Sequence, residues 1–266
     1  MWYSIVVALI YPGCLGSEPA NLGPAARSSP AVEAWERGQR VMLAGDTDGA
    51  LAAFRESLRL DPNLTRNHLS LAAAYLEKGD EAAAADHMAE YLRRQPDHFI
   101  VRIHYAELLL RLGRPREARE HFERFVADVQ SRPELAEEHL IHCHSKLMEI
   151  AEAQEDEYGE HLHRGIGLYL LAKQRQLLPD AGDEMSAEGM LCKAAGELAM
   201  AIHGRPAEAR PCWYLSAVWT ELAQRRPAAR WLHAASEAAP FTYLTPAERE
   251  ALRLACRQDE EQARTR

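Results

Sequence analysis

One repeat period constrains the fold of this chain more than any other feature of its sequence. Gly45, Gly79 and Gly113 are evenly spaced, at an interval of about 34 residues. Three further sets keep the same spacing: Gly38, Ala72 and Ala106; Ala50, Ala84 and Ala118; Phe54, Met88 and Phe122. A fixed period of this kind indicates a repeat protein, in which no single repeat buries its apolar face without its neighbours.

Each repeat predicts a helix, a tight turn and a second helix. In the repeat around Gly79, apolar residues recur at helical spacing over 65–77. Gly79 can adopt the left-handed backbone that closes a helix, and Asp80 can cap the next helix. Pro96 ends the repeat, because proline disfavours helix in the residue before it. Small residues such as Ala84 suit places where two helices cross closely.

This order of small, bulky and small residues resembles the tetratricopeptide repeat. The resemblance implies an all-α, right-handed superhelical solenoid of antiparallel helix pairs, which binds a protein or peptide partner and performs no chemistry. We expect three repeats over 31–130, a degenerate fourth helix pair over 131–179, repeat-like helices over 186–240 and a capping helix over 245–262. The capping helix opens with the capping box Thr245-Pro246-Ala247-Glu248.

The role of one helix, over 206–223, remains open towards the C-terminus. In the degenerate pair, Gly165, Tyr169 and Ala172 keep the small, bulky, small spacing. Further on, the positions of Ala228 and Leu232 favour a first helix over 206–223. The segment Gly204-Arg205-Pro206-Ala207-Glu208-Ala209 is instead similar to Gly113-Arg114-Pro115-Arg116-Glu117-Ala118, which favours a second helix there.

The resemblance also implies a concave groove lined by the first helix of each repeat. The groove-facing candidates are Trp35, Gln39, Met42, Leu69, Ala73, Leu76, Ile103, Glu107 and Leu110. Trp35 would be its aromatic anchor, since aromatic side chains dominate many binding surfaces. The alternative is that several of the apolar candidates pack between helices. Family members that clamp a C-terminal carboxylate use Lys, Asn and Arg at positions where this chain has Trp35, Gln39, Ser70, Ile100 and His104, so that activity is not implied.

The first residues indicate a targeting segment. The apolar run Ile5–Ile10 is too short to span a bilayer, and Gly13-Cys14 follows it. Residues 1–17 resemble a secretory or lipoprotein-type leader with Cys14 as the lipidation candidate, although no Lys or Arg precedes the apolar run. Residues 18–30 read as a flexible linker. We therefore expect an exported, periplasmic or membrane-anchored protein, and otherwise a cytoplasmic one.

Charge excludes one class of partner. The 31 basic and 40 acidic residues give a net charge of −9, and no basic block occurs along the chain. Nucleic acid is therefore not expected as a partner.

A histidine-rich segment is the one candidate for chemistry. His139, His142 and Cys143 fall within about a third of the helix circumference, and His144 falls on the apolar face. The alternative function is thus a metal- or haem-associated helical protein that uses His139–His163, a range that also contains His161. The spacing matches no zinc motif, and the sequence has no CxxC, HExxH or GxSxG. We therefore predict no metal, no cofactor and no catalysis.

Overall fold

The computed structural model describes residues 29–130, 137–177 and 186–264, and every regular element in these ranges is an α-helix. The helices are α1 (Pro30–Leu43), α2 (Thr47–Leu60), α3 (Arg66–Glu77), α4 (Glu81–Arg94), α5 (Phe99–Arg111), α6 (Pro115–Gln130), α7 (Glu137–Ala153), α8 (Glu157–Leu177), α9 (Ala187–Gly204), α10 (Ala209–Glu221), α11 (Arg225–Ala238) and α12 (Pro246–Arg264). The predicted leader 1–17, its Cys14 and nearly all of the linker 18–30 lie outside the described residues.

The turns after α1, α3 and α5 follow one backbone design. Their glycines have positive φ: 83° at Gly45, 75° at Gly79 and 70° at Gly113. In the second of these turns the N–H of Gly79 donates to the carbonyl of Leu76 at 3.0 Å, and the N–H of Asp80 donates to that of Tyr75 at 2.9 Å. This pair of bonds is the Schellman motif, which needs a left-handed residue and so favours glycine. The predicted cap is confirmed, because Asp80 accepts from the N–H of Ala83 at 3.0 Å.

The predicted helix crossings lie in the core. The alanines at 50, 84 and 118 have no exposed surface, and neither do Phe54 and Phe122. Gly38 in α1 lies against the ring of Phe54, since a Cβ at position 38 would stand 2.5 Å from two of the ring carbons. The repeat therefore uses its smallest residues where an aromatic ring from the paired helix enters the core.

The chain divides into two compact units, with the boundary between His121 and Phe122 inside α6. In the N-terminal unit α2 packs against both α1 and α3, and α4 packs against both α3 and α5. Neighbouring helices joined by turns of about three residues run antiparallel. In the C-terminal unit α8 contacts α7 and α9, while α10 contacts α9 and α11.

The degenerate pair α7–α8 aligns with α3–α4 at an offset somewhat longer than two repeat periods. Glu155 takes the place of Gly79, with φ 55°, and Asp156 caps α8 by accepting from the N–H of Gly159 at 3.2 Å. The small residue Gly165 faces α9, because a Cβ there would lie 2.8 Å from the side chain of Leu198. Its small, bulky, small spacing therefore reflects the packing of α8 on α9.

Backbone hydrogen bonds identify α10 as a first helix. After α10 the N–H of Ala223 donates to Thr220 at 3.0 Å and that of Gln224 to Trp219 at 2.9 Å, as in the turn at Gly79. Before α10 the N–H of Arg205 donates to Ala201 at 3.0 Å, as Gln95 does to Tyr91 in the connection between α4 and α5. The likeness of the Gly204 segment to the Gly113 turn is therefore one of sequence and not of structure.

The predicted capping box opens α12. The N–H of Thr245 donates to Glu248 Oε2 at 2.9 Å, and the N–H of Glu248 donates to Thr245 Oγ1 at 3.1 Å. Both residues are buried. Among the described helices none is both long enough and apolar enough to cross a membrane.

Candidate protein-binding surface

The nine groove candidates divide into two sets in the structure. Leu69, Ala73 and Ile103 are buried, so they belong to the core beneath the surface. The other six are half-buried and lie on α1, α3 and α5: Trp35, Gln39, Met42, Leu76, Glu107 and Leu110. We call these six the first-helix surface. All of them lie in the N-terminal unit.

Trp35 is the most constrained side chain of the first-helix surface. Its Nε1–H donates to Ser70 Oγ in α3 at 2.9 Å. The guanidinium carbon of Arg66 stands 4.0 Å from the ring centroid, a cation–π distance. The indole is therefore held in one orientation and remains half-buried, which lowers the entropy lost when a partner covers it.

Arg66 lies next to this surface, over the ring of Trp35, and the sequence did not single it out. Burial lowers the pKa of its guanidinium, which remains charged at neutral pH. Its Nε is buried and has no hydrogen-bond partner among the described residues. The sequence carries one signal for Arg66, which is a charge at a repeat position that is apolar in the neighbouring repeats. Val32 and Ile100 stand one period before and one period after it.

Three apolar side chains form a row on the first-helix surface. Met42, Leu76 and Leu110 occupy one repeat position near the ends of α1, α3 and α5, and each is half-buried. Beside them His104 Nδ1 lies 3.3 Å from Glu107 Oε2. The surface thus offers one aromatic ring, a short apolar row and a polar margin, a composition typical of protein-binding surfaces.

The histidine-rich segment does not converge on a metal centre. His144 is fully buried and its Nδ1 lies 3.1 Å from His163 Nδ1, whereas the ring of His139 meets the edge of Phe125. His161 Nδ1 pairs with Glu197 Oε2 at 2.7 Å. In the described ranges no three His, Cys, Asp or Glu side chains are grouped so as to hold a metal ion.

The pair His144–His163 has a counterpart in the N-terminal unit. His68 Nδ1 in α3 lies 3.1 Å from His87 Nδ1 in α4, and the two ring pairs share nearly the same tilt, 39° and 40°. A contact of this length between ring nitrogens needs one donor and one acceptor, so the accepting ring of each pair is neutral. Burial lowers the pKa of His68 to about 4 and that of His144 to about 3.

A buried polar cluster joins α10 to α12. Arg210 Nε and the Tyr214 hydroxyl both donate to Glu248 Oε1 at 2.9 Å. All three side chains are buried, and burial raises the pKa of the Tyr214 hydroxyl well above its ordinary value. Because Glu248 Oε2 also accepts the N–H of Thr245, both carboxylate oxygens serve to hold the helices together.

A family model matches just over a third of the chain. The matched residues are 41–99 and 76–137, and the model describes the tetratricopeptide repeat. Residues 41–137 are therefore similar to tetratricopeptide repeats. The match includes the turns at Gly45, Gly79 and Gly113 and most of the first-helix surface, so the predicted repeat is confirmed there.

Several solved structures are similar to this chain at low identity. MamA from Desulfovibrio magneticus RS-1 is 16% identical over 81% of this chain and 98% of its own, with a TM-score of 0.35. YrrB, a tetratricopeptide protein with an unusual peptide-binding site, is 16% identical over 86% and 92%, with a TM-score of 0.34. PilW, a type IV pilus biogenesis factor, is 15% identical over 84% and 98%, with a TM-score of 0.38.

Proposed function

We propose that this protein is a non-enzymatic scaffold that binds a protein or peptide partner on the first-helix surface. The observation that carries the proposal is the row Met42, Leu76 and Leu110, which keeps half-buried apolar side chains at one repeat position in three successive first helices. The row begins on α1, the helix that also presents Trp35. An extended or helical segment laid across α1, α3 and α5 would bury the row together with the indole.

Site-specific photo-crosslinking tests this proposal in the organism that makes the protein. A benzophenone amino acid replaces Gln39 or Leu76 on the first-helix surface, and Leu60 on α2 serves as the matched control because it is apolar and exposed. We expect one shared adduct from positions 39 and 76 and none from position 60. The same adduct from all three positions, or none from 39 and 76, would contradict the proposal.

Affinity for the crosslinked partner then measures the contribution of the indole. We expect Trp35→Ala to weaken binding by at least about tenfold, or roughly 1.4 kcal/mol, because a desolvated aromatic anchor contributes that much or more. Leu60→Ala is the control. Leu69 is unsuitable for this test, since it is buried and its replacement would change the stability of the fold.

We also propose that the chain is exported and is anchored to a membrane through Cys14. The support is the apolar run Ile5–Ile10 followed by Gly13-Cys14, which together resemble a lipoprotein-type leader. The intact mass of the protein purified from its native source tests this idea. We expect a chain that begins at Cys14 and carries added lipid mass, whereas an unmodified chain that begins at Met1 in the soluble fraction would overturn the proposal.

A further inference from the structure

A cleft of about 490 Å³ lies between the end of α11 and α12 in the C-terminal unit. Its apolar floor includes Ala239, Leu252 and Cys256, of which the first two are buried. One wall consists of Arg249, Arg253 and Arg257, all from α12. The volume falls in the range of ligand-binding sites, and the lining joins an apolar floor to a basic wall.

The three arginines of the wall recur at every fourth position. At a rise of about 1.5 Å per residue they line one side of α12 over about 12 Å. Arg249 Nη1 donates to the carbonyl of Ala239 at 3.0 Å. Arg253 Nη1 lies 3.6 Å from Glu250, and both of these side chains are more than half exposed. Arg257 forms no ion pair with any side chain of the described residues.

The arginines of the basic wall occupy repeat positions that are apolar in α10, the preceding first helix. Leu215 and Trp219 of α10, one repeat period before Arg249 and Arg253, pack within the core cluster of the C-terminal unit. Among the described residues, the cleft is lined by α12 and the end of α11 alone. The three arginines therefore make the cleft selective for negative charge, in a chain whose net charge is −9.

We propose that the cleft binds an acidic helical segment of a partner protein. Carboxylates at every fourth position of that segment would pair with the three guanidinium groups, and an apolar side chain between them would contact Leu252. The length of the wall favours a segment over a small anion, because one carboxylate or phosphate cannot span about 12 Å. This site is separate from the first-helix surface, so either proposal can fail without the other.

Binding of a designed peptide to the full-length protein tests the site. The probe is a fluorescein-labelled helical peptide with Glu at three successive fourth positions and Leu between them, and its partner probe has Lys in place of each Glu. We expect fluorescence anisotropy to show binding of the Glu peptide and not of the Lys peptide. The affinity should fall as salt increases, because exposed charges are screened.

Charge-reversal variants locate the binding. We expect the double variant Arg253→Glu and Arg257→Glu to weaken binding of the Glu peptide by at least about tenfold. Arg226→Glu is the matched control, because Arg226 is exposed on α11 and does not line the cleft. Unchanged affinity of the double variant, an equal loss in the control, or equal binding of the two peptides would each overturn the proposal.

Cysteine alkylation gives an independent footprint. Cys256 lies in the cleft, and Cys192 is exposed on α9 outside it. Burial raises the pKa of the Cys256 thiol, so the reaction is run at about pH 8.5 to obtain a measurable thiolate fraction. We expect the Glu peptide to slow alkylation of Cys256 and to leave Cys192 unchanged. Equal rates at Cys256 with and without saturating peptide would show that the cleft is not the site.

Discussion

Gly38 lies in α1 where the ring of Phe54 enters the first helix pair. Added carbon at position 38 would meet two ring atoms at 2.5 Å, and the ring has no exposed surface through which to move away. We expect Gly38→Ala to lower the free energy of unfolding by about 1–3 kcal/mol, the usual cost of overpacking. Denaturant titration followed by circular dichroism measures the change.

Gly196→Ala is the control for this variant. Gly196 is exposed in α9, and a Cβ there would meet nothing within 4 Å. The same substitution should therefore stabilise the protein by about 0.5–1 kcal/mol, since alanine restricts the unfolded chain more than glycine does. If the two variants were equally stable, the close approach of α1 and α2 at Gly38 would be wrong.

At the scale of the element, the turn after α10 carries a strained residue. Ala223 has φ 55°, a left-handed conformation that the turns after α1, α3 and α5 assign to glycine. Left-handed backbone costs a residue with a Cβ about 1–2 kcal/mol. We expect Ala223→Gly to raise the free energy of unfolding by up to about 1 kcal/mol, measured by denaturant titration. Ala217→Gly inside α10 should instead lower it by a similar amount, and a loss in both variants would contradict the strain.

The two histidine pairs make the helix pairs that contain them sensitive to acid. Burial is the main cause of the low pKa of both His68 and His144, and nearby positive charge adds to it, from His87 and Arg94 in one case and from Arg210 in the other. Their folded-state values of about 4 and about 3 lie below the value of about 6.5 in an unfolded chain. The unfolded state therefore binds protons first as the pH falls.

We expect the free energy of unfolding to decrease as the pH falls from about 6.5 towards 5. Each of these histidines should contribute a slope of about 1.4 kcal/mol per pH unit, and the stabilisation is fully present above pH 6.5. Urea titrations at several pH values measure the slope. His68→Gln should flatten it, whereas His233→Gln should not, because His233 is exposed on α11. A slope that His68→Gln leaves unchanged would show that this histidine titrates normally.

At the scale of the whole molecule, stability depends on contacts between neighbouring helices. Ala84 in α4 has no exposed surface, so Ala84→Phe should overpack the crossing at a cost of about 1–3 kcal/mol or more. Because repeats stabilise their nearest neighbours, we expect faster amide exchange in α3, α4 and α5 and a smaller change in α9 to α11. Exchange mass spectrometry reads both regions. Ala52→Phe, at an exposed position of α2, is the control, and equal exchange in the two variants would contradict the predicted crossing.

The helix pairs of residues 31–130 follow from local sequence alone. Gly45, Gly79 and Gly113 need no tertiary information, because left-handed backbone is a local property that glycine alone adopts at little cost. The same holds for the caps at Asp80 and Thr245, whose partners lie within the first turn of the helix that each one opens. Interactions this short in sequence are encoded by residue type and spacing.

Contacts between helices set the structure of the turns and helices that lie outside the regular repeat period. Glu155 and Ala223 adopt the same turn without glycine, so packing of the flanking helices imposes a conformation that their side chains disfavour. Packing of neighbouring helices likewise gives α10 the position of a first helix. It also places Gly165 against the side chain of Leu198 in α9.

The sequence also did not predict which groove candidates are buried and which are half-buried. Leu69 and Leu76 share an apolar character and one helix, yet the first is buried and the second is half-buried. Arg66 could not be predicted from the sequence, because it lies over the ring of Trp35. That ring belongs to α1, two helices earlier in the chain. Which face of a helix is covered depends on neighbours distant in sequence, and a helical period shows that a face is apolar without showing what covers it.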